Sequence, residues 1–206
     1  MKIIDLSQPL HASAPIYPGD APLQLAQTKF VERDHYGAYE LQSGLHVATH
    51  IDMPAHMLND PRLAIDFQID NFIGRGVILD VRTEPQITMQ PEYETMIQPG
   101  DIVLLFTGFD AFYGEEKYYT EHPSVDVQFS KFLLDRKIKV LGMDMPSPDY
   151  EPFPVHKELL GNDIFILENL TGLEQLLSAD NFEIFTVPLK IEAEASFVRA
   201  FAAIND

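Results

Sequence analysis

Eleven residues, His46-Val-Ala-Thr-His50-Ile-Asp52-Met-Pro54-Ala-His56, restrict the shapes open to this chain more than any other stretch. Three of the seven histidines fall here beside a carboxylate, and imidazole nitrogen with carboxylate oxygen is a donor set for a borderline divalent metal. All four occupy even positions, so a straight strand would line them on one face. At about 3.3 Å per residue, however, His46 and His56 would then stand roughly 33 Å apart. A helix fails as well: at about 100° per residue it groups His46 with His50 and turns Asp52 and His56 roughly 100° or more from that pair. Pro54 lacks the N–H a helix interior needs. Convergence on one ion therefore requires a bend, and the expected form is a strand ending near His46, a tight non-repetitive bend and a short turn.

The rest of the chain is ordinary enough to fold around such a centre. Its 206 residues, 46% hydrophobic and 22% charged, describe a globular protein with a substantial core. We read residues 1–206 as one domain, since no repeat, low-complexity tract or linker divides them. A formal net charge of −18 argues against nucleic acid and against anionic membrane surfaces, because both are held by Lys and Arg. The chain has no cysteine, which excludes disulfides and thiolate zinc sites and leaves His, Asp and Glu to bind any metal. No signal peptide is read at the amino terminus, and the apolar run Ile102–Phe106 is far short of a membrane span. The expectation is a cytoplasmic protein whose partner is a small molecule.

Periodicity sketches an α/β architecture. Residues 3–6 read as a strand, followed by a proline-rich loop through Tyr17-Pro18-Gly19-Asp20 that suits a lid or pocket wall. Residues 23–30 and 39–45 alternate like strands, the second leading into the histidine cluster. Residues 76–81, 101–107 and 139–143 are apolar runs of buried-sheet type, and 109–119 is ambiguous. Between them, residues 125–136 carry helical spacing, with Ser124 as the expected cap. Asp144-Met-Pro146-Ser147-Pro148-Asp149 follows at a strand's carboxyl end, where open sheets place their sites. Pro154–Leu160 reads as a short helix closed by Gly161. Residues 163–169 read as a strand ending on the carboxylate Glu168. A short helix at 173–177 and strands at 182–189 and 196–203 complete the expectation.

These residues resemble the metal-dependent cyclase family that includes bacterial kynurenine formamidase and isatin hydrolase. Its signature, His-x-Gly-Thr-His-x-Asp-x-Pro-x-His, is in register with His46, Thr49, His50, Asp52, Pro54 and His56. Supporting matches are Tyr17-Pro-Gly-Asp, Leu105-Phe-Thr-Gly108, Gly142-Met-Asp-Met-Pro-Ser147, the spacing of His156 and Glu168, and Pro188-Leu-Lys-Ile191. The resemblance implies an α/β domain of the swivelling β/β/α type, with a central mixed sheet flanked by short helices. It implies that His46, His50 and Asp52 hold one metal, that Asp52 reaches a second bound by His156, and that Glu168 bridges both. His56 would be the catalytic proton carrier, and Tyr17 would meet the substrate. The implied cofactors are two Zn2+ per chain, with Mn2+ as the alternative, and the implied assembly is a homodimer or homotetramer.

Such a centre makes a nucleophile without serine or cysteine, because divalent ions lower the pKa of bound water and polarise a carbonyl. A neutral imidazole can then pass the proton to a leaving nitrogen, typically for ~10²- to 10⁴-fold in rate. The expected activity is hydrolysis of a small amide or cyclic amide, with N-formylkynurenine the first candidate. An isatin-type lactam or another small carbonyl compound is the alternative, and a non-catalytic metal-binding protein is the rival from another class. The chain departs from the family at Ala48, which replaces the signature glycine, so either φ there stays negative or the approach to ligand is looser. Glu192-Ala-Glu-Ala-Ser196 lacks the expected glycines, and there is no tryptophan.

Overall fold

The structure, a computed structural model, describes residues 1–204. In chain order the strands are β1 (Lys2–Asp5), β2 (Gln24–Lys29), β3 (Ala38–Gln42), β4 (His50–Asp52), β5 (Ile73–Asp80), β6 (Gln86–Ile87) and β7 (Ile102–Phe106). There follow β8 (Ser124–Val125), β9 (Val140–Met143), β10 (Phe165–Glu168), β11 (Phe182–Phe185), β12 (Ala195–Phe197) and β13 (Phe201–Ile204). The helices are short: α1 (Val31–Asp34), α2 (Tyr93–Met96), α3 (Glu116–Thr120), α4 (Val127–Arg136) and α5 (Pro154–Leu160).

Runs that are apolar at every position need cover on both faces, and they occupy the middle of the fold. A nine-stranded mixed sheet has the order β1-β13-β11-β5-β7-β9-β10-β4-β12, with β5, β7, β9 and β10 parallel. Along β7, Ile102, Leu104 and Phe106 join one core cluster while Val103 and Leu105 join the other. The alternating Cβ directions of a strand separate the two layers. The α/β class with a central mixed sheet and short helices is thus borne out.

The sheet curls. Strands β12 and β13 are joined by residues 198–200 alone, yet β12 is at one end of the sheet and β13 is next to the other. So short a link is compatible only with ends that approach each other. The seam is closed by Leu6 N–H to Ala200 O at 2.9 Å and Val198 N–H to Thr49 O at 3.3 Å, with a bridge between Ser7 and Leu170. The single strand expected over 196–203 is accordingly two strands with different neighbours. That expected over 182–189 stops at Phe185.

Other expectations are corrected by tertiary pairing. The helix at 125–136 begins at Val127, because Ser124–Val125 pairs in parallel with β6. Its cap is Asp126, whose side chain accepts from Gln128 N–H at 2.9 Å, not Ser124. The ambiguous stretch 109–119 forms a 3-10 turn, Phe109–Phe112, and then α3. The helix at 173–177 is a 3-10 turn, Leu173–Leu176. The cluster itself does not begin with a strand ending at His46: residues 45–49 are bends, β4 lies inside the cluster, and Pro54–His56 is a 3-10 turn. Pairing with β10 and β12 holds those three central residues extended.

Candidate metal centre

Strand register assembles the centre. Antiparallel β10 and β4 pair Glu168 with His50 and Ile166 with Asp52. Directly opposed residues share a face, so His50, Asp52 and Glu168 project together while Ile51 and Leu167 enter the core on the other side. The bends at 45–49 bring His46 back beside them, and the 3-10 turn adds His56. Ring centroids of His46 and His56 are 4.1 Å apart, and those of His46 and His50 are 4.9 Å apart.

Two donor sets result, each with its ligand atoms within 4.8 Å of one another: His46, Asp52 and His56, and His50, Asp52 and Glu168. Asp52 belongs to both. Its carboxylate is fully buried, and it faces imidazole nitrogens without either oxygen completing a hydrogen bond; His50 Nε2 completes none either. A buried carboxylate without donors is costly unless a cation meets it. The residues present therefore fit a divalent metal centre.

The sequence-derived residues converge to different degrees. His46 Nδ1 is 3.1 Å from Asp52 Oδ1 and His50 Nε2 is 3.3 Å from Glu168 Oε2. His156, on α5, approaches Glu168 Oε1 at 3.2 Å and Asp52 Oδ2 at 4.0 Å. His56 stands with His46 and Asp52 rather than apart from them. Tyr17 lies on the wall of the adjoining cavity, packed edge-on to Tyr119 at 5.5 Å. That cavity, about 220 Å³ in volume, has His50 and His56 in its lining and Tyr113, Tyr119 and Phe153 among its aromatic walls.

The groups that orient the imidazoles were not identified from the sequence. His50 donates Nδ1–H to Ala48 O at 2.9 Å, which leaves Nε2 facing the carboxylates. Ala48 has φ +52°, so the negative φ offered as one alternative is not found: the alanine keeps left-handed backbone at the position where the family signature has glycine. Asn169 donates to the same carbonyl at 2.9 Å and accepts from Tyr118 Oη at 2.8 Å. His156 donates Nδ1–H to Asp149 Oδ1 at 2.6 Å, and the other Asp149 oxygen accepts from Val155 N–H at 2.6 Å. Asp149 was visible only as part of a proline-rich stretch; the His-to-carboxylate pairing depends on α5 folding back over it.

Electrostatics match this layout. Burial alone would lower the His46 pKa, but Asp52, Glu168 and Glu194 together raise it to about 9. Burial is likewise outweighed at His156 by Asp149 and Glu168, which lift it to about 10. For Asp52, burial is opposed by the facing histidines, which hold the carboxyl well below its usual range. At His56, burial prevails and lowers the pKa. A field that favours positive charge at His46 and His156 equally favours a cation between the same groups.

An α/β sheet with buried carboxylates and imidazoles converging at the edge of an aromatic-walled cavity defines a protein built around a divalent-cation centre. The Cyclase family model matches residues 4–150. The chain is 32% identical over 206 residues to an uncharacterised protein of Methanocaldococcus jannaschii, covering 99% of this chain and 100% of that one. It is 30% identical to the kynurenine formamidase of Bacillus anthracis, over 97% of this chain and 96% of that one. In fold it is similar to isatin hydrolase A from Ralstonia solanacearum, with a TM-score of 0.87, 21% identity, and 99% and 92% of the two chains covered. The chain belongs to the Cyclase family.

Proposed function

We propose that this chain is a divalent-metal-dependent hydrolase that opens the C–N bond of a small aromatic amide. The observation that carries the reading is the pair of donor sets sharing Asp52, placed beside a cavity walled by Tyr17, Tyr113, Tyr119 and Phe153. Kynurenine formamidase relatives support formamide hydrolysis, with N-formylkynurenine the first substrate to test. Isatin-type lactams are the alternative, suggested by fold likeness alone.

His46, His50, Asp52, His156 and Glu168 would hold two cations, Zn2+ or Mn2+. Bound there, the ions supply Lewis acidity, lowering the pKa of water toward 7 and polarising the substrate carbonyl. The chain contributes positioning and proton transfer. The aromatic walls align the ring. His56, neutral at pH 7 because burial lowers its pKa, would take a proton from the attacking water at a ring nitrogen and give it to the departing nitrogen as the C–N bond breaks. The reading takes residues 1–206 as one domain and the working form as a cytoplasmic homodimer or homotetramer. No helix among the described residues is long and apolar enough to cross a membrane.

A second reading of His56 has its own support: its ring lies in one donor set with His46 and Asp52. Elemental analysis of purified protein, with turnover of N-formylkynurenine and isatin, tests both. Two ions per chain with hydrolysis of the formamide are expected. His56→Ala should retain both ions and lose at least ~100-fold in kcat, in line with the loss of a general acid–base group. Loss of one ion from that variant would make His56 a ligand, and a wild-type chain without metal would remove the proposal.

A further inference from the structure

His46 differs from the other histidines of the centre in what holds its ring. His50 is anchored by a carbonyl and His156 by Asp149. His46 instead stands between two carboxylates, with Nδ1 3.1 Å from Asp52 Oδ1 and Nε2 3.5 Å from Glu194 Oε1. An imidazole turns one nitrogen to a cation, and the opposite N–H needs an acceptor, whose charge strengthens the ligand.

Glu194 is not a loose surface side chain that happens to reach this ring. Its carbonyl accepts from Met53 N–H at 2.9 Å, and the carbonyl of Ala193 before it accepts from Ala64 N–H at 2.9 Å. Ala195 after it is paired with Asp52 itself. The backbone of residues 193–195 is thus registered on the strand that carries the shared ligand. Glutamate 194 also lies in the stretch where alanines stand in place of glycines, so the segment is stiffer than a glycine-rich one.

We propose that Glu194 is a positioning residue of the metal centre: its carboxylate accepts the Nε2–H of His46, fixing the ring with Nδ1 toward Asp52 and a divalent cation. The inference rests on the proposed metal centre and is independent of which amide is cleaved. The anchoring logic is that of Asp149 on His156, now applied to His46, whose side chain is partly exposed.

The test uses the full chain with Mn2+ or Zn2+ titrated against a chromogenic chelator, comparing wild type with Glu194→Ala, Glu194→Gln and Glu194→Asp. Loss of a carboxylate that orients a ligating histidine typically weakens metal affinity about 10- to 100-fold. Glu194→Ala should show that loss in one of the two dissociation constants with the ion count unchanged. Glu194→Gln should fall between, and Glu194→Asp should recover part of the affinity. The metal-free proteins should melt together, since the side chain is 42% exposed. Equal affinity in wild type and Glu194→Ala overturns the inference alone, as does a variant that melts lower while binding metal unchanged. Disappearance of one whole ion in Glu194→Ala overturns it too, by making Glu194 a direct ligand. A wild-type chain that binds neither ion overturns the metal centre itself, and is seen before any variant is measured.

Discussion

A residue with a Cβ holds left-handed backbone at a cost of about 1–2 kcal/mol, and Ala48 holds it beside the centre at φ +52°. What that conformation provides is a carbonyl aimed at His50, and hence one tautomer with Nε2 free. The sequence left open whether position 48 had abandoned the glycine-like conformation, because only neighbouring hydrogen bonds decide it: Asn169 and His50 both bind that carbonyl. A separate residue, outside both donor sets, contributes to acid sensitivity. His122 is 4% exposed and stacks on Tyr150 at 4.2 Å, and burial lowers its pKa from 6.5. The folded state then binds its proton less readily than the unfolded state. Its contribution to stability is complete above pH 6.5 and declines as pH falls through 6.5 toward the lowered value. In His122→Phe, which keeps a ring against Tyr150, urea midpoints should fall less between pH 7.5 and 5.5 than in wild type. Parallel curves would show that His122 does not titrate as described.

Strand β4 is three residues long, too short for its own periodicity to announce it, and it exists because β10 and β12 pair with it on both sides. For this reason the candidate ligand types were legible in the sequence while the shape of their segment was not. Strand β10 was easier to read, since its apolar run ends abruptly on Glu168, and its bounds moved by only a residue or two. Helix α4 was read from its spacing, but its start was misplaced, because the parallel pairing of Ser124–Val125 with Gln86–Ile87 is a contact no local pattern reveals. Sheet packing leaves one further sharp constraint. A Cβ on Gly76, in β5, would lie 2.0 Å and 2.4 Å from ring atoms of Phe182 on neighbouring β11. Neither the ring nor the strand pair can yield cheaply, and overpacking of this kind costs about 1–3 kcal/mol. Gly76→Ala should lower the unfolding free energy by that amount in urea titrations at unchanged m-value; unaltered stability would mean that the sheet opens there easily.

The two ends of the sheet meet because chain from residues 1–7 and 195–204 closes the curl around strands from the middle of the sequence. Composition set the size of this core, but the curl depends on which distant strands pair. The centre lies at this closure, so its occupancy should register in the stability of the whole. Ligand binding to the folded state alone adds RT ln(1 + [L]/Kd), about 4 kcal/mol at a thousandfold excess over Kd. Melting followed with saturating Mn2+ or Zn2+ should rise well above melting in a strong chelator, with re-addition restoring it. Coincident curves would detach the centre from the fold's stability. The pairing of β4 also has a consequence for biosynthesis. A ribosome delivers His46 to His56 long before Glu168 and Ala195 have been translated, and pairings between such distant residues form slowly. The nascent chain therefore carries Ile51 and Met53, wholly buried in the finished protein, without their cover through most of translation, and the seat for the cation is among the last features to form.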